Sequence, residues 1–188
     1  MPAFSKSASL PGLRFAQSAA IALAGSALLT LSAKISVPFY PVPLSMQTLA
    51  VLVLGAVLGA RLGAATVALY LIEGAAGLPV FAGTPEKGLG LLYMMGPTGG
   101  FLVGFLIAAA LVGYIADRGW DRSLPRLALS MAIGHAVIFA FGFCWLAGLI
   151  GIKGAWLGGV APFAWATVLK TALAAALVAA WRSRVVRG

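Results

Sequence analysis

The stretch PFAWATVLKTALAAALVAAW, residues 162–181, is almost wholly apolar but carries a lysine at position 170. A run of about 20 apolar residues is long enough to cross the hydrocarbon core of a bilayer as a helix. A charged side chain at that depth costs about 3 kcal/mol on insertion scales. The stretch therefore predicts a membrane-spanning helix, and it marks Lys170 as a candidate functional residue.

The rest of the chain has the same apolar character. Of its 188 residues, 62% are hydrophobic and only 9% are charged, and the mean hydropathy is +1.04. Soluble domains carry about 25% charged residues, so this chain has too few to cover a surface that faces water. The net charge of +9 does not indicate a nucleic-acid partner, because the basic residues flank apolar runs and form no continuous face.

The apolar runs predict an all-α integral membrane protein with six transmembrane helices. We place these helices near residues 15–31, 43–60, 62–80, 96–116, 127–152 and 162–181. A tail at residues 1–14 and a basic tail at 182–188 complete a single membrane domain over residues 1–188. The first run is interpreted as a retained helix and not as a cleaved signal peptide, because further apolar runs follow it.

The basic residues divide unevenly between the two sides of the predicted bundle. With six helices both termini lie on one side, which holds nine Lys and Arg residues against three, Lys34, Lys87 and Lys153, on the other. The side with more positive charge faces the cytoplasm. We therefore expect both termini in the cytoplasm and a multi-pass protein in the cell's inner (plasma) membrane.

The three predicted outer loops, residues 32–45, 77–100 and 151–164, are rich in glycine, proline and aromatic residues. Long ordered loops are usually functional, so we expect these loops to fold over an outward-facing pocket. Unstructured connectors are the alternative. Candidate ligand-binding residues in and beside these loops are Phe39, Tyr40, Tyr93, Thr98 and Trp165.

Several polar side chains toward the same side are further candidate ligand contacts. Thr167 lies one turn before Lys170 on the same helix face, and the natural partner of a cation at this depth is an anion such as a ligand carboxylate. An internal ion pair and snorkelling of Lys170 to the interface are the alternatives. Gln47 offers both a donor and an acceptor. Glu73 could pair with Lys170, contact a ligand or sit at the interface, and Glu86 could contact a ligand or remain solvated.

Catalytic chemistry is not indicated by the sequence. The chain has four acidic residues and one histidine, and it offers neither a metal-ligand cluster nor a nucleophile–base pair. Gly83 and Gly88 have the outer spacing of a phosphate-binding loop, but Leu89 and Gly90 follow where Lys and Ser or Thr are required. We therefore expect no enzymatic activity, no ATPase motif and no cofactor.

A stripe of small residues, Ala16, Ala20 and Ala24, runs along the first predicted helix. Small residues allow another helix to approach closely within a membrane. The approaching helix belongs either to the same chain or to another subunit.

Four blocks of the sequence together resemble the BioY family, the biotin-specific substrate-binding (S) components of energy-coupling-factor (ECF) transporters. The blocks are VPFYPVPLSMQTLAVLVLGAVLGARLGAATVALYL (37–71), GAAGLPVFAG (74–83), GPTGGFLVGF (96–105) and ATVLKTALAA (166–175). The resemblance runs in order over almost the whole chain, from near Ile35 to near Ala180.

The resemblance implies a six-helix S-component fold that binds biotin near its outer face and serves biotin uptake. It also implies a transmembrane coupling protein and two ATPase subunits as partners, held partly through the face of Ala16, Ala20 and Ala24. A transporter subunit for a different vitamin-like solute and a membrane assembly protein without transport activity are the alternatives.

The sequence departs from the family pattern at the lysine motif. Many relatives carry PGDLLK where this chain has WATVLK, so the family's ligand-binding acid is replaced by Thr167. Leu102 stands where some relatives have a polar or basic residue. We expect Glu73 or Glu86 to supply the acceptor that the acid provides in those relatives.

Overall fold

The structure is a computed structural model of the chain, and it describes residues 11–187, with side chains over residues 15–184. Residues 1–10 of the predicted N-terminal tail lie outside the described residues. The last four residues of that predicted tail are helical, because the first helix begins at Pro11. Proline suits the first position of a helix, where its missing N–H has no partner to lose.

The described residues are almost entirely helical. The helices are α1 (Pro11–Lys34), α2 (Gln47–Ala75), α3 (Gly90–Met94), α4 (Gly99–Asp117), α5 (Leu124–Gly159) and α6 (Ala164–Arg187), with short 3₁₀ turns at Trp120–Arg122 and Ala161–Phe163. Between α1 and α2, strands β1 (Ser36–Val37) and β2 (Leu44–Ser45) pair antiparallel, with Ser36 opposite Ser45. The prediction of an apolar, all-helical fold class is confirmed.

Within residues 11–187, four helical stretches are long and apolar enough to cross a membrane. They are Phe15–Lys34, Gln47–Ala75, Gly99–Asp117 and Leu124–Arg184. The predicted count of six spans is therefore not confirmed. Two of the four stretches join segments that the sequence pattern divides, and each contains a glycine at which the helix is broken.

The break in α2 lies at Gly59, whose backbone has φ 77° and ψ 176°. A Cβ atom added at Gly63 would lie 3.0 Å from the Cα of Gly55, whereas eight residues of straight helix extend about 12 Å. The chain therefore reverses direction at Gly59, two residues before the turn predicted around Arg61. An oxygen of Asp117 accepts a hydrogen bond from the Ala60 N–H at 3.0 Å, which satisfies a free donor at the start of the second limb.

The break in α5 lies at Gly151, with φ 78° and ψ 162°. A Cβ atom added at Gly159 would lie 2.7 Å from Cδ2 of Leu146, so the last residues of α5 fold back onto the end of its main limb. The predicted fifth span ends at residue 152, beside this break. What the sequence treated as part of an outer loop is thus a short returning helical limb.

The observed helix bounds differ from the predicted ones where a glycine, a proline or a short strand limits the helix. The span predicted to end at residue 80 ends at Ala75, because Gly77 takes a positive φ of 96° and Pro79 follows. The span predicted to start at residue 43 starts at Gln47, after β2. The predicted basic tail continues α6 as far as Arg187, and Gly188 lies outside the described residues.

Small residues bring α4 into close contact with its two neighbours. A Cβ atom added at Gly55 of α2 would lie 2.7 Å from the backbone oxygen of Ala109, and one added at Gly104 would lie 2.9 Å from the Cα of Ile138 in α5. Close backbone approach replaces the hydrophobic effect as the source of helix association in lipid. The bundle is therefore built around α4, with α1 packed on α2 and α6 packed on α2 and α5.

We expect Gly59→Ala to lower the melting temperature of the detergent-solubilised protein. The φ of 77° and ψ of 176° at Gly59 lie in a region that only glycine adopts readily, where another residue costs about 1–3 kcal/mol, and the added Cβ would lie 2.5 Å from Oδ1 of Asp117. Gly148→Ala is the control, because a Cβ atom there meets nothing within 4 Å and alanine favours a helix by about 0.5–1 kcal/mol over glycine. Equal melting temperatures for the two variants would contradict the reversal at Gly59.

Candidate ligand-binding site

A cavity opens at the end of the bundle where β2, the loop after α2 and the start of α6 meet. The lining residues are Val42, Pro43, Ser45, Gln47, Thr48, Ala82, Tyr93, Thr98, Phe101, Leu102, Phe105, Phe139, Phe163, Thr167 and Lys170. They come from the hairpin, the five helices α2 to α6, the 3₁₀ turn at Ala161–Phe163 and the loops before and after α3.

Lys170 is the one cation in this lining. Its side chain is only 7% exposed, and its Nζ donates a hydrogen bond to the backbone oxygen of Ser45 at 2.6 Å. An ammonium group has three donors, so two remain for other partners. Thr167 lines the cavity one turn earlier, although its hydroxyl donates to the Phe163 backbone oxygen at 2.8 Å.

Gln47 is held at the cavity by a chain of buried hydrogen bonds. The Ser45 hydroxyl donates to Oε1 of Gln47 at 3.1 Å, and Nε2 of Gln47 donates to the Tyr70 hydroxyl at 2.5 Å. The Tyr70 hydroxyl in turn donates to the Val80 backbone oxygen at 3.0 Å. This chain fixes the orientation of the amide and leaves Oε1 with a second lone pair for a donor in the cavity.

Tyr93 and Thr98 close another side of the cavity. The Tyr93 hydroxyl donates to the Ala82 backbone oxygen at 2.7 Å. Burial raises the pKa of the Tyr93 hydroxyl above its usual value, so the group remains protonated at neutral pH and keeps this bond.

Four phenylalanine rings form the apolar part of the wall. Phe139 contacts Phe101 and Phe163 edge-to-face, with centroids 6.1 Å apart in both pairs, and Phe105 completes the set. Such rings favour an apolar ligand body, while a few polar groups fix its orientation.

Thr48 is a cavity residue that the sequence analysis missed. Its Oγ1 is buried and has no hydrogen-bond partner among the described residues, and its side chain lines the cavity. Buried hydroxyls are normally paired, so an unpaired one in a cavity makes Thr48 a candidate ligand contact. The only sequence signal was its position directly after Gln47.

Five of the predicted ligand-binding residues lie outside the cavity lining, and their contact with a ligand also stays a prediction. Glu73 accepts a hydrogen bond from the Ser26 hydroxyl of α1, because this face of α2 packs on α1. Glu86 is exposed. Tyr40 and Trp165 are both 86% exposed, and the Phe39 ring meets the Phe163 ring of the lining edge-to-face, with centroids 6.2 Å apart.

These positions leave the described cavity lining without an acidic side chain. The expectation that Glu73 or Glu86 replaces the family's acid is therefore not supported. The other predicted residues, Gln47, Tyr93, Thr98, Thr167 and Lys170, are brought together as lining, and their contact with a ligand stays a prediction.

Comparison with known proteins gives one consistent family. Residues 5–187 match the sequence profile of the BioY family. The chain is 40% identical over 148 residues to the "Probable biotin transporter BioY" of Pyrococcus horikoshii, covering 79% of this chain and 85% of the relative. It is 37% identical over 151 residues to the biotin transporter BioY of Thermotoga maritima, covering 80% and 86%. The corresponding protein of Rhizobium etli is 38% identical over 152 residues.

A solved structure has the same fold. It is described as the S-component for biotin from an ECF-type ABC transporter, and it matches with a TM-score of 0.78 over 93% of this chain and 95% of its own. The sequence identity is 21%, so the likeness establishes a shared architecture. The helical bundle described above is therefore an S-component fold.

We expect Thr48→Val to raise the melting temperature of the ligand-free protein. The substitution keeps the shape of the side chain and removes an unpaired buried hydroxyl, which costs roughly 1–3 kcal/mol. Thr66→Val is the matched control in the same helix, because the buried Thr66 hydroxyl donates to the Leu62 backbone oxygen at 2.8 Å. Thermal unfolding in detergent compares the two, and a lower melting temperature for Thr48→Val than for Thr66→Val would mean that Thr48 is paired.

Proposed function

The chain belongs to the BioY family, and on that basis we propose that it binds biotin in the cavity at Lys170 as the substrate-binding subunit of a biotin uptake system. The single observation that carries the proposal is a buried cation in a cavity whose described lining contains no acidic side chain. A buried charge without a charged partner is costly. An anionic ligand would supply the missing partner.

The polar groups of the cavity complement those of biotin. Biotin has a carboxylate tail, a ureido ring with two N–H donors and a carbonyl, and an apolar thioether ring. Lys170 offers donors for an anionic or carbonyl oxygen. The Gln47 amide oxygen and the unpaired Thr48 hydroxyl offer acceptors for the ureido N–H groups, and the phenylalanine rings enclose the apolar part.

This assignment also accounts for the loss of the family's acid at Thr167. The Thr167 hydroxyl is committed to the helix backbone, so neutral acceptors at Gln47 and Thr48 take over the role of the acid in our proposal. Biotin alone serves as the ligand, and no cofactor takes part.

We further propose that the chain crosses the cell membrane six times. The reversal at Gly59 divides α2 into two limbs, and the break at Gly151 followed by the turn at Ala161–Phe163 separates the main limb of α5 from α6. Six crossings bring both termini to one side, and the bias of nine basic residues against three favours the cytoplasm for that side.

The energy for uptake comes, in this proposal, from separate subunits. The sequence has no phosphate-binding loop, so a transmembrane coupling protein and two ATPase subunits are the proposed partners. Ala16, Ala20 and Ala24 are all exposed along α1, which leaves this small-residue stripe free to receive a partner helix.

We expect Lys170→Met to weaken biotin binding by about 10- to 100-fold, because a hydrogen bond to a charged group contributes about 1.5–3 kcal/mol. Thr48→Val should weaken binding by a smaller factor while preserving the fold. Both affinities are measured by titrating labelled biotin into purified protein in detergent.

Lys153→Met is the control for the loss of a positive charge, since Lys153 is exposed in the returning limb of α5. An unchanged affinity in Lys170→Met would remove Lys170 from the site. A wild-type protein that folds but binds another vitamin-like solute in competition, and not biotin, would overturn the proposed substrate.

We expect the triple variant, in which Ala16, Ala20 and Ala24 are all changed to Leu, to lose biotin uptake by cells while it still binds biotin in detergent. The larger side chains prevent close approach of a partner helix. Phe15→Trp, an added bulk at an exposed residue of α1 that is not three or four positions from any of the three alanines, serves as the control and should preserve uptake. Normal uptake by the triple variant would exclude this stripe as the partner contact.

A further inference from the structure

The side chain of Lys34 ties the outer end of α1 to a loop far along the chain. Its Nζ donates hydrogen bonds to the Phe81 backbone oxygen at 3.2 Å, to the Thr84 backbone oxygen at 3.0 Å and to the Thr84 hydroxyl at 3.1 Å. Lys34 is exposed and does not belong to the cavity lining. Its three donors are nevertheless all used on one short stretch of chain.

That stretch, residues 80–84, is called the wall segment here. It forms no helix or strand ladder, so its carbonyl groups find partners in side chains and in the turn itself, where the Thr84 N–H and hydroxyl both donate to the Phe81 oxygen. The carbonyl of residue 80 accepts from Tyr70 of α2, that of residue 81 from Lys34 of α1, and that of residue 82 from Tyr93 of α3. Donors on three different helices therefore fix the position of the wall segment.

The wall segment is directly connected to the cavity. Ala82 lines the cavity, and the Phe81 ring stacks on the Tyr93 ring with centroids 4.9 Å apart. Phe81 also meets the Tyr70 ring edge-to-face at 5.4 Å, and Tyr70 orients the Gln47 amide. A displacement at residue 81 would therefore reach three lining residues.

We propose that Lys34 is a positioning residue for the ligand cavity, which holds the wall segment in place from outside and so sets how long a bound biotin stays. This inference rests on the proposed function for the identity of the ligand. Lys34 acts through the backbone of the wall segment and touches no ligand. Lys34 is also the last residue of α1, where a positive charge interacts favourably with the helix dipole.

The test compares Lys34→Met with the wild-type protein in two measurements on purified, detergent-solubilised protein. We expect biotin to dissociate about tenfold faster from the variant, because charge-assisted hydrogen bonds to the wall are lost, while the association rate changes little. Hydrogen–deuterium exchange of peptides that cover residues 80–84 should become faster with and without biotin. Lys34→Arg should restore slow dissociation, because a guanidinium can donate to the same carbonyls.

Lys87→Met is the matched control. Lys87 lies in the same loop and is exposed. Its aliphatic stem lies against Gly83, and methionine keeps most of that stem, so the variant removes the same charge and leaves the hydrogen bonds from Lys34 in place. Wild-type dissociation and exchange in Lys34→Met, or equal changes in Lys87→Met, would overturn the inference.

Failure of the proposed function can be told apart from failure of this inference. If the wild-type protein does not bind biotin, the exchange measurement without ligand still decides whether Lys34 holds the wall segment. Faster exchange across the whole protein, and not only at residues 80–84, would show that Lys34 supports the global fold instead, which would also overturn the inference.

Discussion

The burial of a single ammonium group constrains the arrangement of this bundle. Lys170 can lie inside the apolar interior only where a carbonyl oxygen meets it, and the Ser45 carbonyl does so from 125 positions away in sequence. This contact fixes the N-terminal half of α6 against the hairpin that precedes α2. Because the Ser45 hydroxyl also orients Gln47, one residue of β2 organises both principal polar groups of the cavity.

Much of the fold could be predicted from the sequence, because a helix that crosses a bilayer needs a long apolar run. The basic residues that flank such runs indicate which ends share one side of the membrane. The limits of these runs were less accurate. The apolar pattern predicts a helix that continues past Gly77 and Pro79, but the helix ends at Ala75, since hydrophobicity alone does not reveal a positive φ. The hairpin at residues 36–45 and α3 went unpredicted, because a two-residue strand or a five-residue helix depends on tertiary partners more than on local pattern.

Some residues of the candidate site could likewise be predicted from the sequence, and others could not. Lys170 and Gln47 could be recognised as polar groups out of place in apolar surroundings, and both line the cavity. Glu73 had the same signal but points to α1, where Ser26 meets it. Which side of α2 faces which neighbour is decided by packing, and one sequence does not display it. Thr48 escaped notice because its distinguishing property, a buried hydroxyl without a partner, exists only in three dimensions.

The tight reversal at Gly59 also limits where a peptide or a fluorescent label can be added to the protein. A peptide inserted there would separate the Ala60 N–H from the Asp117 carboxylate and push apart limbs that touch through glycine backbones. The loop at residues 85–87 is exposed instead, and such loop tips tolerate insertion. A fluorophore attached at position 86 would sit two residues beyond the wall segment, where its emission would follow movement of that wall in real time without disturbing the bundle.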